Sequence, residues 1–409
     1  MEVDPDEIRG HVSAAVTIRS TAPTHTEIDT FRRAALWGLL AAKLWGGWGV
    51  SWDFQWHVLI GRDSPWIPPH LMTYSAVVAA VAISLGVLAR ETRLARAGRL
   101  VPNSFRILGL VGTRGMHLAW WGTALAVLSA PVDDAWHRLF GLDPTVWSPP
   151  HLLGLLGVQV NAAGCLLLAI EAYPADSRAR LFALVSAGTA FFGGFHILLG
   201  SSIVWAYDPA GLGFFGYPIL AALFLPVALV PVARLSAVRW APVLAVALGV
   251  VTAVAGAGVS KLGFALVKPE SQIPEFIARE PDSSIAKKYQ MARESGTEVW
   301  TFMRGARLVT WALLPALALS LLEARRRTIL GGLAFAAIYL AVAGWSFAQL
   351  PAIQPRLPTA FETIAGVALA LLAGAVGALV GRVCADRFAW ALGEVESPGP
   401  RRPAPAGHA

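Results

Sequence analysis

Residues 241–262 read APVLAVALGVVTAVAGAGVSKL, and a run of this kind decides the fold. A bilayer core needs roughly 20 consecutive, mostly apolar residues per helix. Nine further runs answer to that description: 34–52, 70–89, 115–132, 151–172, 181–205, 217–233, 306–322, 328–348 and 360–381. The run at 217–233 is short and carries Pro226 and Pro231. No segment shows the alternating ten-residue pattern of a membrane barrel, which leaves helices as the spanning element. The expected fold is therefore all-α: a polytopic integral membrane bundle of about ten transmembrane helices.

Composition points the same way. Apolar residues make up 56% of the 409 residues, charged residues 14%, and mean hydropathy is +0.57. A soluble domain carries about 25% charged residues, so lipid must face much of this surface. The net charge of +7 is spread over short arginine clusters between apolar runs, with no basic stripe interleaved with aromatics, and nucleic acid is not an expected partner. The two cysteines, Cys165 and Cys384, sit in apolar helices and form neither a disulfide framework nor a CxxC motif. The acidic start MEVDPDEIRG lacks the apolar core of a cleaved signal peptide.

The arginines orient the bundle. Arg32 and Arg33 precede the first run. Arg90, Arg93, Arg96, Arg99, Arg106 and Arg114 fill the second–third connection, Arg178 and Arg180 the next alternate one, then Arg234 and Arg239, then Arg325, Arg326 and Arg327; Arg382 and Arg387 follow the last run. The intervening connections hold few. Both termini are expected on the cytoplasmic side of an inner or plasma membrane. The organisation expected is a disordered cytoplasmic tail (1–33), a four-helix unit (34–172), three helices (173–262), an extracytoplasmic amphipathic cap (263–303), three more helices (304–385) and a cytoplasmic tail (386–409).

The strongest signal is an internal repeat. Residues 53–71 read DFQWHVLIGRDSPWIPPHL and residues 133–152 read DDAWHRLFGLDPTVWSPPHL. Both follow D-x-x-W-H-x-x-x-G-x-D, then Trp, then x-P-P-H-L, at the outer end of one run and the start of the next. A duplicated helical hairpin explains the match. Asp53 and His57 are i and i+4 and share a helix face; His70 opens the returning helix after a Gly61/Pro68/Pro69 turn and can reach them. Asp133, His137 and His151 repeat the arrangement. One carboxylate and two imidazoles make a three-ligand metal site with an open position; this set suits Fe(II), and imidazole-rich sites also suit Cu and Zn. The plainer alternative is that Trp, His and Asp gather at membrane interfaces for structural reasons. Ionisable groups near membrane depth are functional by default, and two full triads favour metal.

Other polar residues have lesser expected roles. Asp63 and Asp143 either hold imidazole N–H groups in a second shell or cap the turn. His196, in FFGGFHILLG, either completes a site or is a hydrogen-bonded core histidine. His117 is expected to be structural, at the opposite end of its helix from the triads. Lys43 and Glu171 are expected to snorkel or pair, and Glu362 has no visible partner. Trp56, Trp66, Trp136 and Trp147 read as packing or interfacial anchors.

At the triads the sequence resembles the C subunit of the copper membrane monooxygenases, the particulate methane and ammonia monooxygenases. That subunit carries Asp-x3-His followed after twelve residues by His, the spacing of Asp53, His57 and His70. It also carries Asn-x3-His followed after thirteen residues by His, the spacing of Asp133, His137 and His151, with Asp133 in place of Asn. The resemblance covers about residues 34–172 only. It implies a membrane-embedded copper centre (iron or zinc being the alternatives) that activates O2 and oxidises a small apolar substrate or ammonia. It also implies further membrane subunits or a homo-oligomer as partners. Two other functions remain open: non-catalytic metal handling or transport, and a structural subunit of a membrane complex. The middles of the runs are almost wholly Ala, Leu, Val and Gly, with a lone Asn161, which speaks against a conduction path.

Overall fold

Lipid offers no hydrogen bonds, so each apolar run must satisfy its own backbone, and helices result. The computed structural model describes residues 25–61, 64–140, 146–207, 212–294, 304–351, 353–354 and 357–391. In chain order the elements are α1 (His25–Leu59), α2 (Pro68–Arg96), β1 (Phe105–Ile107), β2 (Leu110–Gly112), α3 (Arg114–Phe140), α4 (Pro149–Ala172) and α5 (Arg178–Gly200). A 3-10 turn (Ser201–Tyr207) leads to α6 (Gly213–Ser236), α7 (Ala241–Val267), α8 (Ile273–Arg279), α9 (Ser284–Glu294), α10 (Arg304–Thr310), α11 (Leu313–Leu321), α12 (Thr328–Ala348) and α13 (Ala360–Ala391). The protein is a polytopic helical bundle. Seven helices are long and apolar enough to cross a membrane: α2, α4, α5, α6, α7, α12 and α13.

The other three expected runs are also helical but differ in kind. α1 and α3 have 35 and 27 residues, ample length, yet both carry ionisable groups toward their ends. The run at 306–322 is divided into α10 and α11 around Trp311. Pro315 explains the break, because its ring clashes with the carbonyl four residues earlier, that of Trp311, and it donates no N–H.

Two expected boundaries need correction. Residues 25–33, expected in a disordered tail, are the first turns of α1. Their anchor is Arg32, whose guanidinium is buried against Glu91 at 2.7 and 3.1 Å and donates to the Pro102 carbonyl at 3.0 Å. At the other end, α13 continues through residues 386–391, where Asp386 pairs with Arg234 and Arg382. Residues 1–24 and 392–409 of the expected tails lie outside the described residues.

Close helix contacts set the hairpins. In α3–α4, a Cβ on Gly122 would sit 2.4 Å from the Asn161 nitrogen, and one on Gly157 would sit 2.5 Å from that of Ala126. Asn161 then straps the pair, donating to the Ala119 carbonyl and Thr123 Oγ1 at 2.8 Å each. α6 stays continuous despite Pro218, Pro226 and Pro231, with α13 lying close against it. Gly377 of α13 approaches the Leu223 carbonyl there, and that of Ala222, which Pro226 leaves without a helical donor. Apolar side chains such as Val251, Leu262, Ile364 and Leu372 stay exposed, a surface suited to lipid contact.

Several arginines tie helix ends together. Arg33 donates to the Ala172 carbonyl at 2.8 Å, and Arg234 bonds both Asp386 and the Arg325 carbonyl. Glu171 accepts from the Gly115 N–H at 3.1 and 3.2 Å, so the expected pairing is with the start of α3. Lys43 is held by the Val158 carbonyl at 3.1 Å. Glu362 does have a partner: it accepts from the N–H and hydroxyl of Thr359, whose Oγ1 accepts from the Glu362 N–H. That reciprocal pair is a capping box at the start of α13.

Candidate metal centres

Each triad is built by one helix ending and the next beginning. α1 ends just beyond His57, putting Asp53 and His57 on one face of its last two turns; α2 opens with Pro68-Pro69-His70. Proline suits the first helical turn, where an N–H would go unbonded, so the Pro-Pro pair fixes where α2 starts and hence where His70 points. Pro149-Pro150-His151 opens α4 in the same way, against Asp133 and His137 near the end of α3.

The structure brings both triads together. In the first, Asp53 Oδ1 lies 3.4 Å from His57 Nε2 and 3.0 Å from His70 Nε2. In the second, Asp133 Oδ1 lies 3.4 Å from His137 Nε2 and 3.5 Å from His151 Nε2. One donor atom from each residue falls within 4.8 Å of the other two in both groups. The imidazoles are tilted, not stacked: ring centroids are 5.8 Å apart at 50° in the first pair and 6.5 Å apart at 64° in the second. All six side chains are partly buried.

These residues fit a metal ion. Ligand bonds of about 2.1 Å to the Asp and His donors 3.0–3.5 Å apart subtend angles of roughly 90–113°, the range of tetrahedral and related geometries, and the two imidazole donors of each triad lie within 4.8 Å of one another. A second observation separates this from simple His–Asp pairing. In each triad the same carboxylate oxygen, Oδ1, is shielded from solvent yet receives no well-formed hydrogen bond among the described residues. Two imidazole Nε2 atoms approach it at 3.0–3.5 Å. Buried polar atoms are seldom left so, and donors converging on a common point between them account for it.

The far side of two rings is also held. His70 Nδ1 lies 3.2 Å from the Pro65 carbonyl, and His151 Nδ1 lies 2.9 Å from Ser148 Oγ. A carbonyl can only accept, so His70 Nδ1 is the donor there, and Nε2, 3.0 Å from Asp53 Oδ1, is the ring nitrogen that faces the triad, as in metal-bound imidazoles. Ser148 occupies the N-cap position of α4 but makes no side-chain capping bond; its hydroxyl serves the histidine. The signal for this was present, a serine three residues before His151. Asp63 and Asp143, the expected holders of imidazole N–H groups, lie outside the described residues.

Other residues resolve into structural roles. His196 is a correction: both its ring nitrogens are buried without a hydrogen-bond partner, it stacks on Phe192 at 5.8 Å, and it joins neither donor group. One helical turn separates it from Phe192 on α5, and the ring lies along that neighbour instead of reaching the triads. His117 is buried, with Nε2 3.4 Å from the Phe105 carbonyl. Phe105 belongs to the β1–β2 hairpin, which sequence reading left as a basic connection; its Leu108–Gly109 turn takes positive φ at both residues, which Leu does not advertise in sequence. Trp56 is buried against Phe264 of α7, while Trp66 is exposed. Trp136 and Trp147 pack on Phe140 and Trp205.

Sequence reading missed how the first triad is capped. Ser271 Oγ donates to the Leu59 carbonyl at 2.6 Å, the Gln272 N–H to the Ile60 carbonyl at 2.7 Å, and the Tyr289 hydroxyl to the Val58 carbonyl. The cap expected over residues 263–303 thus docks, through 271–289, on the turn that carries His57.

Compared with known protein families, curated proteins and solved structures, the chain matches none.

Proposed function

We propose that this chain is a membrane metalloprotein that holds one ion in each triad, and that the ion is copper used to activate O2 for oxidation of a small apolar substrate or ammonia. The observation that carries the metal reading is the repeated geometry: twice over, one carboxylate oxygen and two imidazole Nε2 atoms from a helix end and the next helix start lie within 4.8 Å of one another. The copper and oxygenase reading rests on the two ligand spacings and on chemistry. Copper bound by such a set supplies an open coordination position and redox capacity toward O2. The chain's own residues do the rest. Asp53 and Asp133 offset the positive charge of an ion, Pro65 and Ser148 hold imidazoles in register, and apolar helix flanks admit a hydrocarbon from lipid without a passage through water. On this reading the triads face the extracytoplasmic side, both termini are cytoplasmic, and other membrane subunits or a second copy complete the assembly.

Metal handling without catalysis is the second reading, with iron or zinc as the ion. It is favoured by the partial exposure of every triad residue, which suits exchange.

The test is O2 uptake by membranes supplied with a reductant and with methane, a short alkene or ammonia. His57→Ala should abolish substrate-dependent uptake while the protein stays inserted. His117→Ala should retain it, because that ring bonds Phe105 at the far end of α3. Stoichiometric zinc with no uptake on any of these substrates would overturn the oxygenase reading and leave metal handling.

A further inference from the structure

The two copies of the signature match in their donor atoms and in their Pro-Pro-His starts, and differ at the helix end that carries the first two donors. In the first copy, the last turn of α1 is gripped from outside. The carbonyls of Val58, Leu59 and Ile60 would be unsatisfied at a free helix end, and each accepts a bond from the 271–289 segment. Gly61, at φ +103°, brings the chain against Gln272 and Ile273, where a Cβ would touch both at 3.6 Å. The Tyr289 hydroxyl is half-buried in this contact, with the Val58 carbonyl as its acceptor. Beneath, Trp52, Trp56 and Ile60 form a buried cluster with Ile67 and Met72, packed on Phe264 of α7.

In the second copy, the described residues show no such bonds to the last turn of the helix that carries Asp133 and His137. Phe140, which corresponds to Ile60, is 67% exposed where Ile60 is 8% exposed, and Leu139 beside it is exposed as well. Pro131 stands where the first copy has Ser51. Lacking an N–H, it breaks the helical ladder two residues before Asp133. One donor set is therefore mounted on a helix end held by three hydrogen bonds from the 271–289 segment, and the other on a helix end with a proline two residues before its carboxylate and with Leu139 and Phe140 exposed.

We infer that the two triads are unequal metal sites: the first retains its ion, held in place by Ser271, Gln272 and Tyr289 as positioning residues, and the second exchanges its ion readily. This rests on the metal reading above. Preorganised donors bind more tightly than donors that must be ordered on binding, and outer-shell partners of metal ligands matter by about 10–100-fold in affinity.

The experiment uses full-length protein in detergent, loaded with cupric ion, desalted, and mixed with excess EDTA while copper transfer is followed. Copper content is measured before chelation. Two release phases of similar amplitude are expected, separated by about 10–100-fold in rate. His57→Ala should remove the slow phase and His137→Ala the fast one. Tyr289→Phe combined with Ser271→Ala should speed the slow phase toward the fast one and leave the fast phase unchanged. Ser271→Ala alone gives a milder shift in the same direction should the double variant fold poorly. A single phase in the wild type, or loss of the slow phase in His137→Ala, would overturn the inequality while leaving metal binding intact. Absence of bound copper, zinc and iron after loading would overturn the metal reading itself, and the inequality with it.

Discussion

Glu91→Gln removes the charge from a pair whose two side chains are 4% and 1% exposed, Arg32 and Glu91, with the closest approach at 2.7 Å. The arginine would then be a buried cation held by the Pro102 carbonyl and a neutral amide, with the half-exposed Asp29 carboxylate at 4.0 Å as its nearest remaining counter-charge. Breaking a buried pair from one side costs about 3–5 kcal/mol, because an uncompensated charge stays behind. Arg138 and Asp134 give the control: they also meet at 2.7 Å, but are 77% and 63% exposed. Asp134→Asn should cost about 0–1 kcal/mol, the range for exposed pairs. Identical separation and opposite burial make burial the deciding variable. Reversible unfolding in mixed micelles, followed by helical circular dichroism, measures both. Replacing Arg32 and Glu91 together by methionine should recover most of the loss, since similar apolar residues often substitute well for a buried pair. Glu91→Gln and Asp134→Asn falling within about 0.5 kcal/mol of each other would refute the reasoning, since that gap is the scatter of neutral surface changes.

Gly157→Leu should force α3 and α4 apart, as even a Cβ there comes within 2.5 Å of the Ala126 nitrogen; copper bound by the second triad should fall while the first triad keeps its ion, read by metal content. Thr359→Ala removes the N-cap of α13 and should cost about 1 kcal/mol in the same unfolding assay, with Thr359→Ser nearly neutral.

The spans were legible because hydropathy and length are local properties: α4, α7 and α12 fall almost where their apolar runs do. The ends of α1 and α13 were not, because what extends them is distant in sequence, Arg32 meeting Glu91 and Arg234 meeting Asp386. The triads were legible for a geometric reason. Positions i and i+4 share a face, and a Pro-Pro-His start returns the third ligand to the same depth. The Thr359–Glu362 capping box and the break at Pro315 were written in local sequence and went unread. The grip on the first triad was hidden, since two of its acceptors, the Leu59 and Val58 carbonyls, are served from 212 and 231 residues away. A backbone carbonyl leaves no mark in the side-chain pattern.

The central claim is that each triad holds a metal ion through Asp53, His57 and His70, or through Asp133, His137 and His151. Elemental mass spectrometry of the purified, copper-loaded protein tests it most directly. About two ions per chain are predicted for the wild type, falling to about one in Asp53→Asn/His57→Ala and likewise in Asp133→Asn/His137→Ala, and to none when the four substitutions are combined, since metal affinity depends on the full ligand set. Metal content that stays the same across all these folded variants, or that is zero in the wild type, would contradict it.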